Sequence, residues 1–521
     1  MDKMNTLRYK ASTNSVVQNW RDRAERTKHL ASIPPGLMKR VTLETLRIFN
    51  RDGLGKAGEY LRETSDTFRE QTLWRTTSSE DKLRAFAAQC ARSVRKKTQD
   101  TADISLAVTI ANQQTITLGI EPPKSKSTDD YAPNLKRMTC DLWWRRAIRK
   151  TQGRKIEQLA IGLGAVQRKL AIHASDHTVQ RRKEQRARNA DTLRRTIIEN
   201  QTGERLSLAD VAEKTISNPR IRRMELMTRI AGFDSLAKER GDVALFITWT
   251  CPASFHPISF ASGEKNEQYN GQTPREAQSH LCKMWARTRA ACARAKILFY
   301  GFRVAEPHHD ACPHWHMVLW VAPAQKDALS KLLRKYALLV DGDEPGAREA
   351  RCRIVEIDQA RGSATGYIAK YISKNIDAYG LSKQLERADK AGQTDLFISP
   401  VTKAQRVDAW AACWGIRQFQ QIGGPPVGVW RELRRLRTPV QDAEIERARN
   451  AADSASWSKF CKLIGNLITE TTTATVELAR VWCDKLGRYG QEIGWRVFGI
   501  QCGNTTTPTR LNTWRRLSIL T

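Results

Sequence analysis

From Val243 the chain stops reading as one helix after another and begins to alternate. "VALFITWTC" (243–251) is β-branched and aromatic and is stopped by Pro252, as a strand is. "TPREAQSHLCKMWARTRAACARAK" (273–296) opens on Thr-Pro and reads as a helix. "ILFYGFRVAE" (297–306) is a strand, "EPHHDACP" (306–313) a turn, and "HWHMVLWVA" (314–322) a second strand. A helix over 324–340, a strand over 351–357 and a helix over 363–376 follow. The order β-α-β-β-α-β-α fits the split β-α-β, ferredoxin-like pattern in its first six elements. It predicts an α+β domain with a central antiparallel sheet, helices on one face and the other face open for a site.

Along the strand from 314, side chains alternate, so His314, His316, Val318 and Trp320 share one face. Two imidazoles two residues apart lie about 6.5–7 Å apart at Cα, near enough to reach one ion. Imidazole suits a borderline divalent metal, but two ligands are too few. Glu306 ends the preceding strand and offers an oxygen; His308 competes for the same role. Two histidines and a carboxylate with open positions form a catalytic set rather than a closed structural one. A single His-x-His is more often core packing. Here four of the nine histidines fall within 308–316, which weakens that reading. Cys312 invites a structural zinc, for which the local sequence supplies no partners.

"GYIAKYISKNI" (366–376) puts Tyr367 and Tyr371 one helical turn apart, about 5–6 Å at Cβ, with Lys370 and Lys374 on their face. Ile368, Ile372 and Ile376 already supply the core stripe, so the tyrosines lie on the polar side. A phenol with a pKa of about 10 can attack phosphorus where a metal withdraws charge and lysines favour the phenolate. The product is a phosphotyrosine ester that conserves the energy of the broken bond.

The partner of such chemistry is written in the charge. Lys and Arg total 87 against 55 Asp and Glu, a formal +32, which calls for a polyanion, nucleic acid first. No long apolar segment or secretory leader is present, so a cytosolic protein is expected. Eleven cysteines without a Cys-x-x-Cys pair argue against a disulfide framework or a zinc ribbon. "LWWRRAIRK" (142–150) interleaves rings and cations, making Trp143, Trp144, Arg145 and Arg146 candidate single-strand contacts, although any one tryptophan is more often core. "QRRKEQRARNADTLRR" (180–195) adds Arg181, Arg182 and Lys183 as phosphate contacts. The chain divides into a helical basic region (1–118), a Pro- and Ser-rich linker (119–133) and a second helical basic region (134–240). The alternating domain (241–380), a mixed segment that completes it (381–440) and a helical C-terminal region (441–521) follow. No G-x-x-x-x-G-K-[ST] stretch occurs, so no ATP phosphate loop is expected.

His-Trp-His and Tyr-x-x-x-Tyr together resemble the His-hydrophobic-His endonucleases, and more narrowly the phage replication gene A proteins. "FITWTCPASFHP" (246–257), "EPHHDACPHWHMVLWV" (306–321) and "GYIAKYISKNID" (366–377) carry the likeness in order, over roughly 134–437. The resemblance implies that His314 and His316 bind Mg²⁺ or Mn²⁺ with Glu306 as third ligand. It implies that Tyr367 and Tyr371 alternate as nucleophiles at a replication origin, holding the 5′ phosphate and freeing a 3′-OH for rolling-circle replication. It further implies origin and single-stranded DNA, a host replicative helicase and a single-strand binding protein as partners, in the host bacterial cytoplasm. A monomer is expected. A transposase or mobilisation relaxase would share the site, and a non-catalytic DNA-binding protein with structural zinc is the alternative from another class. In the family the turn before Pro313 often carries Asp-Gly, whereas this chain has Asp310-Ala311, which bears on the placement of Glu306.

Overall fold

The computed structural model describes residues 32–71, 80–259, 262–358, 363–376, 400–465 and 476–517, apart from the side chains at 70, 71, 373, 374 and 400. They fall into two compact units. The first holds residues from 1–166, 175–178 and 485–493, the second those from 167–174, 179–484 and 494–521.

The first unit is built from α1 (Pro35–Gln71), α2 (Glu80–Thr98), α3 (Ile104–Thr117), α4 (Tyr131–Met138) and α5 (Asp141–Gly162). Leu83, Ala87, Ala91 and Val94 recur at helical spacing on α2 and pack on Val108, Ala111, Met138, Trp144 and Ile148. Asp103 caps α3, its carboxylate accepting from the Ser105 N–H at 2.8 Å. Ile120 lies in this core, 3% exposed. Pro133 at the far end is buried too, most of the residues between are exposed, and the chain on both sides of 119–133 belongs to one unit.

The remaining helices are α6 (Asp176–Arg195), α7 (Leu208–Glu213), α8 (Pro219–Arg240), α9 (Pro274–Arg294), α10 (Lys326–Ala337), α11 (Ala347–Ala350), α12 (Ala364–Ile376), α13 (Pro400–Trp414), α14 (Val427–Leu433), α15 (Ala443–Asp453) and α16 (Trp457–Ile464). A short hairpin, β1 (Ile197–Asn200) and β2 (Arg205–Ser207), interrupts the region read as wholly helical. Five strands make the main sheet: β3 (Val243–Trp249), β4 (Phe299–Pro307), β5 (Pro313–Val321), β6 (Cys352–Glu356) and β7 (Phe419–Ile422). Their order is β6-β3-β5-β4-β7, and every pair is antiparallel. The expected strands and helices between Val243 and Ile376 all form. α9 opens with Thr273 and Glu276 in a reciprocal capping box and Pro274 in its first turn, which explains its sharp start.

The sheet is covered on both faces, so the expected open face is corrected. Trp315 turns one way and packs with Trp249 and with Trp285 of α9. Val318 and Trp320 turn the other way, into a core with Ile230 and Phe233 of α8, Ile368 and Ile372 of α12, and Trp430, Ile445 and Phe460 from α14–α16. The physical reason is the apolar band that Phe302, Val318 and Trp320 present on the histidine face, too large to leave in water. Every residue of β5 is buried.

The C-terminal region also departs from expectation. Among the described residues its helices end at Ile464, and β8 (Glu477–Leu486), β9 (Glu492–Cys502) and β10 (Thr505–Pro508) form a three-stranded sheet. β11 (Trp514–Arg516) pairs with β1. Val481, Trp482, Trp495, Val497, Phe498 and the threonines of β10 favour extended backbone despite the charged residues between them. Among the described residues no helix is long and apolar enough to cross a membrane.

Candidate metal and tyrosine site

The β4–β5 hairpin sets Glu306 directly across from His314, and β3 sets Thr248 across from His316. Cross-strand partners project to the same face, which brings three potential ligands together. One donor atom from each of Glu306, His314 and His316 lies within 4.8 Å of the others. The two Nε2 atoms are 2.9 Å apart, and His316 Nε2 is 3.8 Å from a Glu306 oxygen. An ion about 2.0–2.2 Å from each atom needs ligands about 3–4 Å apart. The set therefore fits a single divalent ion, with nitrogen and oxygen donors of the right kind. Thr248 Oγ1 lies 3.2 Å from His316 Nδ1. A proton held on Nδ1 by that hydroxyl leaves the Nε2 lone pair for a metal.

The turn that precedes the histidines adopts the conformation usually given to glycine. Ala311 has φ +73°, costing about 1–2 kcal/mol. Three contacts hold it: the His308 N–H donates to the Cys312 carbonyl at 2.7 Å, Asp310 Oδ1 accepts from the Cys312 N–H at 3.1 Å, and Trp410 Nε1 donates to the Ala311 carbonyl at 2.9 Å. The register that pairs Glu306 with His314 thus survives without Asp-Gly. Asp310 is buried and meets His256 Nδ1 at 2.9 Å. Burial alone would push its carboxyl up; the His256, His308 and His309 imidazoles more than reverse this and hold it at about 2. His308 does not join the ligand set. Its ring packs 4.0 Å from that of His314, and burial, then His256, pushes it down to about 3, so it is neutral at physiological pH.

Helix α12 lies over this end of the sheet. The Tyr371 ring sits 4.1 Å from the His316 ring and 5.5 Å from Phe246, near-parallel to the latter. Tyr367, one turn earlier, is exposed, and its ring lies 6.0 Å from that of Phe246. Tyr371 is thus half-buried against the metal set, and Tyr367 reaches toward it only through Phe246, which stacks on His316. Burial, and after it the Glu306 carboxylate, holds the Tyr371 phenol above its ordinary value. Lys370 is exposed on the same helix; the Lys374 side chain lies outside the described residues.

Asn375, a further turn along, is a residue the sequence reading missed. It is 3% exposed, and its Nδ2 donates to the Glu306 carboxylate and, at 2.5 Å, to the Tyr371 carbonyl. A flipped amide would set its oxygen against two acceptors, so the nitrogen belongs there. The signal was present as the spacing 367, 371, 375 on one helix face. Phe246 and Thr248, also missed, alternate on β3 toward the histidines.

The proposed nucleic-acid contacts fare unevenly. Trp144 is fully buried, its Nε1 donating to the Met138 carbonyl at 2.6 Å, and Trp143 is half-buried against the same core. Trp144 therefore presents no ring face for stacking, because the apolar stripe of α5 needs it. Arg145 is half-buried and paired with Glu80 at 3.4 Å, while Arg146 is exposed. Arg182 is bound to Asp408 at 2.7 Å; Arg181 is half-buried, and Lys183 is exposed. Cys312 is buried and outside the ligand set, as a zinc site would not have it.

The model of the bacteriophage replication gene A protein family matches residues 71–379, reaching into the N-terminal helices that the sequence reading left outside the likeness. The chain is 39% identical over 381 residues to the probable replication protein P12 of Pseudoalteromonas phage PM2, covering 72% of this chain and 58% of that one. It is 40% identical over 363 residues to the replication protein of Haemophilus phage HP1, covering 69% and 45%. It is 32% identical over 383 residues to the probable replication endonuclease from a prophage-like region of Salmonella paratyphi A, covering 71% and 47%. The chain thus spans about half the length of the curated relatives it matches. No solved structure matches it. The chain belongs to the bacteriophage replication gene A protein family.

Proposed function

We propose that this chain is a site-specific, metal-dependent DNA endonuclease and strand transferase that nicks one strand at a replication origin and initiates rolling-circle replication of phage or prophage DNA. The observation that carries the reading is the Tyr371 ring 4.1 Å from the His316 ring, beside a His314–His316–Glu306 donor set. The names borne by the relatives, replication protein and probable replication endonuclease, support it.

Mg²⁺ or Mn²⁺ held by His314, His316 and Glu306 would withdraw charge from a scissile phosphate. The chain's own residues supply the rest. Thr248 orients His316, and Asn375 orients Glu306 while tying it to the tyrosine helix. A tyrosine oxygen attacks phosphorus, the P–O3′ bond breaks, the phenolic proton is lost to solvent or a base, and the 3′ oxygen leaves as a hydroxyl. The 5′ phosphate stays on the tyrosine. The second tyrosine repeats the transfer on the regenerated junction, with Lys370 and Lys374 favouring the phenolates. The strand order β6-β3-β5-β4, with helical crossovers α9 and α10, supports a ferredoxin-like, split β-α-β reading of this domain. With no ATP phosphate loop in the sequence, strand separation is assigned to a host helicase, with a host single-strand binding protein, in the host cytoplasm; the chain acts as a monomer.

The test is to incubate the protein with single-stranded origin DNA and Mg²⁺ or Mn²⁺, denature, and look for a DNA-linked band. An adduct that survives Tyr367→Phe or Tyr371→Phe alone and vanishes in the double variant is expected. No adduct with cognate DNA rejects the reading.

A further inference from the structure

Ten of the thirteen described tryptophans are buried or half-buried, and the three that are exposed all lie between 476 and 517: Trp482 (46%), Trp495 (64%) and Trp514 (38%). Exposing two large rings side by side is unfavourable unless something covers them in use. Trp482 and Trp495 meet at 5.6 Å and 82°, edge to face. Such a pair leaves at least one open π-face for a further ring to stack upon.

The surrounding charge selects the partner. Arg480 is two residues before Trp482, on the same face of β8, whereas Arg496 directly follows Trp495 on β9 and projects from the opposite face. Both are exposed, and no ion pair holds either among the described residues. Glu477 is engaged by Gln501 Nε2 at 2.7 Å, and Asp484 lies beyond Trp482, so the cationic end is that of Arg480. A second copy of a +32 chain would set these arginines against their own kind. A duplex has its bases already stacked. Rings with cations at their margin suit unstacked bases on a phosphate chain.

We propose that the β8–β9 ribbon is a single-stranded DNA contact surface, with Trp482 and Trp495 stacking on bases and Arg480 meeting a phosphate. It rests on the reading above only in taking DNA as the partner; the surface is separate from the metal and tyrosine residues. The test is fluorescence anisotropy of the full chain with a labelled oligo(dT), without divalent metal. Trp482→Ala with Trp495→Ala should weaken binding about tenfold or more and abolish the quenching of tryptophan fluorescence, leaving duplex affinity unchanged. Arg480→Ala should lower the slope of log K against log salt by about 0.7. Unchanged oligo(dT) affinity in the tryptophan double variant overturns the proposal. So does sedimentation showing a wild-type oligomer that this variant dissociates, since the face would then hold a second copy. Nicking by a variant that also binds oligo(dT) normally rejects this surface alone; loss of nicking in the wild type rejects the reading of the site alone.

Discussion

Replacing Asn375 by alanine removes one side-chain amide and nothing that touches DNA chemistry directly. The amide serves two acceptors, and the two losses are unequal. The Tyr371 carbonyl lies four residues earlier on α12, where the backbone N–H of residue 375 already serves it. The Glu306 carboxylate loses a donor in a buried site, and a hydrogen bond to a charged group contributes about 1.5–3 kcal/mol. If that preference is spent on holding Glu306 in its ligating position, it corresponds to about 10- to 150-fold in metal affinity. Outer-shell partners of metal ligands elsewhere give about 10–100-fold, an independent route to the same range. Titration calorimetry of the full chain with Mn²⁺ measures it, and thermal melting without metal reads any cost to folding separately. Asn375→Asp adds the sharper test. It sets a second carboxylate beside Glu306, so it should destabilise the metal-free protein more than alanine does yet weaken Mn²⁺ binding less. An alanine variant that binds Mn²⁺ as the wild type does would refute the role given to this residue.

His314→Ala should abolish nicking while leaving most of the salt-dependent DNA affinity, because phosphate contacts elsewhere supply that term; filter binding over a salt series beside the adduct assay checks both. Thr248→Val should weaken Mn²⁺ binding about tenfold by releasing the His316 tautomer, measured by the same calorimetry. Asp310 has a folded pKa of about 2 against about 3.9 unfolded, so its charge stabilises the fold above pH ~4 and that contribution, about 2–3 kcal/mol, is lost as pH falls toward 2. Urea melts of Asp310→Asn should therefore show a flatter acid limb over that window. Trp144→Ala should cost about 3–5 kcal/mol of stability, with single-strand affinity per folded molecule unchanged.

The part of the molecule that carries the candidate site was legible because its elements are short and sharply punctuated. Pro252, the Thr273–Pro274 helix start and the 308–312 turn each mark a boundary by local chemistry, and the alternation on β5 then assigns His314 and His316 to one face without further help. Asn375 was less visible. Nothing in its own neighbourhood says that the helix places it over Glu306, 69 positions away in sequence. Only the packing of α12 on the sheet, set by Ile368 and Ile372, brings the two together. The covered histidine face was missed for a related reason. α8 and the helices after residue 426 that cover it lie outside the alternating segment, so the pattern within 243–376 could not include them.

The tryptophans show where composition stops and topology begins. A strongly basic chain rich in tryptophan points to a nucleic-acid partner wherever those rings lie, and that inference is insensitive to fold. Which ring is free to stack is another matter. "LWWRR" and "ARVWCDKL" both mix rings with charge, but the first is wound into a helix with i, i+4 apolar neighbours, so burying Trp144 completes a core. The second is drawn into a strand of a three-stranded sheet too small to enclose its own side chains, so Trp482 stays at the surface. The same residue type next to the same charges is thus core in one place and exposed in the other. The difference is the secondary structure each stretch adopts and the neighbours that structure supplies, which is why the contact surface has to be read from the fold.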